Sequence, residues 1–67
     1  MTWFKINAAH YAQQYKGCVL SVEREPHGWV WTVTHTQFRV TNYCPTFHRA
    51  KRAAEHAAKE NVRRSTK

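Results

Sequence analysis

Residues 18–34 read CVLSVEREPHGWVWTVT, and this stretch decides the fold. Cys18–Arg24 and Trp29–Thr34 are rich in β-branched and aromatic residues, which suit a pleated, half-buried surface. Pro26-His27-Gly28 between them is turn chemistry, so the stretch reads as an antiparallel hairpin. Side chains alternate along a strand, so Trp29, Trp31 and Val33 share one face and Val30 and Thr32 the other. Downstream, Gln37–Thr41 alternates apolar and polar residues and reads as the next strand of a meander. Cys44-Pro45 then marks a break.

Residues 46–62 read as one helix with Thr46 as N-cap. Its apolar stripe is Phe47, Ala50, Ala54, Ala57, Ala58 and Val62, at the spacing of a single helical face. A stripe made almost wholly of alanine lets a helix lie close to a sheet. The bulk must then come from the sheet, and the tryptophan strand supplies it. Residues 63–67 read as a frayed tail.

Upstream, residues 7–15 admit two readings. Asn7 as cap and Gly17 as terminator suit a helix. Alternation of Tyr11, Gln13 and Tyr15, leading through Lys16-Gly17 into the next strand, suits a hairpin. The expected fold is therefore α+β: an antiparallel sheet of three to four strands with one C-terminal helix packed on one face. The other face admits two readings. Left open, its Tyr, Trp or Phe residues could stack on bases or anchor a protein partner. Closure by the N-terminal segment, with Trp3 and Phe4 in a second small cluster, is the expectation, because so small a domain needs its aromatics inside.

At 67 residues the chain is a single small domain. Nine aromatic residues give it a core that its length alone would not. Cys18 and Cys44 are too few for a disulfide framework. Residues 1–16 lack the apolar run of a signal peptide, and no stretch approaches a membrane span. Two reduced thiols and a cytoplasmic protein are expected, with no membrane partner.

The net charge is +7, and residues 48–67 hold seven of the eleven Lys and Arg against two of the four acids. Clustered positive charge points to polyanions or an acidic protein surface. His48, Arg52, His56, Lys59 and Arg63 recur every three or four residues and line one side of the helix within an arc of about 80°. Arg49 and Lys51 flank them, and Lys51–Glu55 and Glu55–Lys59 are spaced as helix ion pairs. Lys16 and Arg39 are outlying candidates for the same surface.

Chemistry is thinly represented. The chain has no Asp, and Glu23 and Glu25 on one strand face beside Arg24 are an ordinary surface pair. Ser21 and Ser65 have no evident base. Two glycines cannot build a phosphate-cradling loop. Cys44 and His48 have ligand spacing, but a zinc site needs four donors in tight pairs. No enzyme, metal, cofactor or small-molecule substrate is expected.

Two resemblances add to this reading. Glu25-Pro26-His27-Gly28 between two strands, with Ala50-Lys51-Arg52-Ala53-Ala54-Glu55 in the last helix, resembles the double-stranded-RNA-binding domain over roughly residues 18–62. That resemblance implies a minor-groove contact by His27 and a phosphate contact by Lys51. Phe47 and His48 stand where that family has paired lysines. The whole chain also resembles the small accessory proteins of phages, anti-CRISPR proteins among them. Gly28-Trp29-Val30-Trp31-Thr32-Val33 and the closing Ala-Lys-Arg-Ala-Ala-Glu helix carry that likeness. It implies an inhibitor that binds a host ribonucleoprotein complex with an acidic or nucleic-acid-binding groove and blocks its nucleic-acid path, with direct duplex binding as the alternative.

Overall fold

The computed structural model describes residues 3–65. Five strands run in chain order: β1 (Phe4–Asn7), β2 (His10–Tyr15), β3 (Cys18–Glu25), β4 (Gly28–Thr34) and β5 (Arg39–Cys44). One helix, α1 (Phe47–Ser65), follows. The strands form one antiparallel meander in the order β1-β2-β3-β4-β5, and α1 lies across β3, β4 and β5. The class is the expected α+β, with one strand more than the upper expectation.

The extra strand resolves residues 7–15. The hairpin wins because both of its turns are chemically specified. Lys16 and Gly17 both have positive φ, 45° and 83°, the pattern of a two-residue turn whose twist matches its flanking strands. At the other end, Asn7 Oδ1 accepts the Ala9 amide at 2.8 Å, so the side chain builds the turn that a helix cap would otherwise have begun.

The β3–β4 hairpin pairs Val22 with Trp31 and Leu20 with Val33, so these four side chains share a face. Leu20, Val22, Val33 and Cys18 are fully buried there, and Trp31 is 6% exposed. Opposite them Ala50, Ala54 and Ala58 are fully buried, so methyl groups of the helix meet bulky side chains of the sheet as the alanine stripe requires. Thr46 caps α1: its Oγ1 accepts the Arg49 amide at 3.2 Å. The helix runs on through Ser65, past the expected stop at residue 62; residues 66 and 67 of the expected tail lie outside the described residues. Strand β5 extends to Cys44, so the break falls only at Pro45.

The N-terminal segment does not cover the second sheet face. It adds β1 at the edge instead, and Trp3 turns to the helix side, where its indole Nε1 donates to Glu55 Oε2 at 2.8 Å. Phe4 stays 66% exposed. Ala12, Ser21, Thr32 and Thr41 form the middle row of the open face, flanked by exposed Val19 and Tyr43. The short, small side chains of this row have little apolar area to hide, while Phe4, Val19 and Tyr43 leave larger apolar groups in solvent around it.

Gly28 is required by close approach. A Cβ at this position would lie 2.5 Å from Tyr43 Oη and 2.7 Å from the Cys44 carbonyl oxygen. The Tyr43 hydroxyl also donates to the His27 carbonyl, tying β5 over the β3–β4 turn. Gly28→Ala is expected to cost about 1–3 kcal/mol through this overpacking, read as a lower urea midpoint at unchanged slope.

Cys18 and Cys44 are free thiols. Register aligns Cys18 with the end of β4 and Cys44 with its start, ~20 Å apart along the strands, too far for a bridge. Burial pushes the Cys18 thiol above its ordinary pKa, so it stays protonated and inert.

Candidate nucleic-acid interface on helix α1

Helix α1 has two sides because its sequence has two compositions. Ala50, Ala54 and Ala58 fix the inner side. About 100° per residue then places His48, Arg52, His56, Lys59 and Arg63 on the far side, away from the sheet. All five are exposed, and so are Arg49 and Arg64. From His48 to Arg63 the stripe is ~22 Å long at 1.5 Å per residue. Arg63 and Arg64 in the last turn also complement the negative end of the helix dipole, which accounts for part of the charge there. Arg52 and Lys59 lie outside that turn and are not explained by it.

Three expected members fall elsewhere. Lys51 is half-buried, and its Nζ sits 4.7 Å from the centre of the Phe47 ring, a cation–π contact. It stands at the flank of the alanine face, 100° of helix rotation from the Arg52 position, and belongs to an aromatic cluster in which Phe47 meets Tyr11 and Trp29 at centroid distances of 4.5 and 4.7 Å. Arg39 pairs with Thr34, while its neighbour Val40 pairs with buried Val33, so Arg39 points to the open sheet face. His27 is exposed at the β3–β4 turn, at the far end of the sheet from Lys16. His27 and Lys51 therefore do not share a face with the stripe. The expected Lys51–Glu55 pairing gives way to other partners, the Phe47 ring for Lys51 and the Trp3 indole for Glu55.

Lys16, by contrast, joins the stripe. The β2–β3 turn meets the last turns of α1, and a groove of about 330 Å³ opens between them, lined by Tyr15, Lys16, Lys59, Val62 and Arg63. Three cations line it, and among the described residues that line it none is acidic. The Lys16 ammonium lies 5.7 Å from the Tyr15 ring centre. In the sequence 43 positions separate Lys16 from Lys59, and only the fold brings them to one groove.

Ser21 does have a histidine beside it: His10 Nε2 is 3.3 Å from Ser21 Oγ across the β2–β3 pair. The pair is half-buried on the open face and bridges neighbouring strands, so it reads as a cross-strand hydrogen bond. Among the described residues no group of three or more His, Cys, Asp or Glu is placed to hold a metal ion. No helix among them is long and apolar enough to cross a membrane.

Compared with protein-family models, with curated proteins and with solved structures, the chain finds no match. The functional reading rests on the geometry above.

Proposed function

We propose that this chain is a non-enzymatic binding protein that lays the outer face of α1 along a nucleic-acid backbone, as a phage-type inhibitor of the anti-CRISPR kind acting on a host ribonucleoprotein complex. The observation that carries this reading is the exposed stripe from His48 to Arg63, set opposite the buried alanines. Like charges on one face repel each other unless a partner relieves them. The sign of the charge also chooses the partner within such a complex. The protein walls of a nucleic-acid path are themselves cationic and repel α1. The bound strand, or an acidic patch beside it, attracts it. Inhibition then follows from occupying the strand or its approach.

Direct binding of free duplex is the second reading, favoured by the reach of the stripe. About 22 Å of B-form duplex carries roughly 13 phosphate charges, at one per ~1.7 Å of axis, so the three stripe cations Arg52, Lys59 and Arg63 find partners without bending the duplex. A gel-shift titration over a salt series separates the two. On the duplex reading, naked duplex is retarded at micromolar protein, and log K falls against log salt with a slope of about −3, the value for three neutralised phosphates. On the inhibitor reading, naked duplex is weakly held, and pull-down recovers one ribonucleoprotein complex whose nucleic-acid binding is lost. The absence of both a shift and a recovered complex would sink the proposal.

A further inference from the structure

We infer that the groove between the β2–β3 turn and the end of α1 is a nucleotide subsite, in which Lys16, Lys59 and Arg63 hold a strand phosphate and the Tyr15 ring takes the adjoining base. The inference rests on the nucleic-acid reading of the α1 stripe and assigns it a defined end.

Four observations lead to it. The first is composition: three cations and an aromatic ring line one recess, which is the make-up of a phosphate-and-base site. The second is size. About 330 Å³ lies at the lower limit of ligand pockets, suited to one nucleotide unit. The third is rigidity. Lys16 is held with φ 45° in a two-residue turn, and Tyr15 ends a strand paired residue by residue to β3, so both walls are placed before a ligand arrives. The fourth is continuity. Lys59 and Arg63 belong to both stripe and groove, so a strand tracking α1 reaches the recess without leaving the protein.

The local electrostatics test this arrangement. The carbonyl end of a helix is negative and disfavours an anion nearby, with about half an elementary charge. Lys16 and Lys59 alone outweigh it. Lys16 brings its charge from another element altogether, which dipole compensation within α1 does not require. A phosphate also competes for the Lys16 ammonium now over Tyr15, and the ring face it vacates is then open to a base.

The probe is a fluorescein-labelled single-stranded oligothymidylate read by anisotropy, with AMP as the free nucleotide. Lys16→Asn keeps a residue type that tolerates positive φ and removes the charge. It is expected to weaken oligonucleotide binding several-fold and to flatten the salt slope by about 0.7, one phosphate's share on a single strand. Tyr15→Val is expected to weaken it about tenfold, and Tyr15→Phe to leave it unchanged, as a stacking surface predicts. Circular dichroism checks folding. If Tyr15→Val fails to fold, the Lys16→Asn slope and Tyr15→Phe still decide. Wild-type affinity and slope in Lys16→Asn, alongside loss in Arg52→Glu, overturn the subsite and leave the stripe standing. Wild-type affinity in Arg52→Glu as well removes both. Variant effects on AMP that are absent on the oligonucleotide mark a free-nucleotide site and overturn the strand assignment.

Discussion

Trp31→Ala is expected to leave the chain unfolded at room temperature. Trp31 is 6% exposed on the helix-facing side, in register with Val22, in one buried core with Cys18, Leu20, Val33 and the helix alanines Ala50, Ala54 and Ala58. The facing helix contributes only alanine methyls there, so the void cannot be refilled from α1 without moving its backbone. Truncating a buried Trp costs about 3–5 kcal/mol. The core of a domain this small rarely supplies more than about 3–5 kcal/mol in all, so the variant falls at or below the folding threshold. Trp31→Phe separates ring bulk from the indole N–H. That N–H is buried without a hydrogen-bond partner among the described residues, a state that costs about 1–3 kcal/mol. Phe forfeits part of the ring area and removes the unpaired donor, and the two effects oppose each other. The expected result is a cooperative urea transition within ~1.5 kcal/mol of wild type for Trp31→Phe, and no transition for Trp31→Ala. A folded Trp31→Ala would show that the core is not carried by β4.

Much of this arrangement is legible from side-chain period alone. Alternation put Trp29, Trp31 and Val33 on one face, and the alanine stripe required that face to meet α1. Two errors came from leaving period unread. Arg39 lies one position from Val40, so strand alternation already sends it away from the helix. Lys51 lies one position from Ala50, at the flank of the buried stripe, and a helical wheel already separates it from Arg52. Residues 7–15 were ambiguous for a different reason. Asn7 is both a good helix cap and a good turn residue, and the choice is made by pairing of β2 with β3, a contact between segments. The closed second face was expected from size alone. The open row Ala12, Ser21, Thr32 and Thr41 is too small and polar to need a cover, and that is visible only once register aligns four strands. The groove at Tyr15 and Lys16 is least legible of all. It depends on the direction in which α1 crosses the sheet, which no local pattern encodes.

Arg52→Glu, Lys59→Glu and Arg63→Glu together are expected to abolish binding to nucleic acid while the protein stays folded. The three sit on the outer arc of α1, all exposed, and the reversals take the net charge from +7 to about +1. Each reversal removes a phosphate contact and adds a repulsion in its place. A combined loss of about a thousandfold, ~4 kcal/mol, is a modest expectation for three such changes. The cost to the fold is smaller and can be itemised. A glutamate in place of Lys59 meets Glu55 on one side and the glutamate replacing Arg63 on the other, both at four-residue spacing, for a few tenths of a kcal/mol each. The Arg63→Glu change also opposes the dipole at the helix end, for about 0.3–1 kcal/mol. The sum, about 1–2 kcal/mol, lowers Tm without unfolding the chain, and circular dichroism should show the wild-type spectrum. Arg39→Glu is the matched control, since it changes the same type of charge on the opposite side of the sheet. It should bind within about twofold of wild type at roughly 150 mM salt, where charges across the molecule are screened over ~8 Å. Equal losses from Arg39→Glu and from the triple variant would mean that net charge, and not the α1 stripe, holds the ligand.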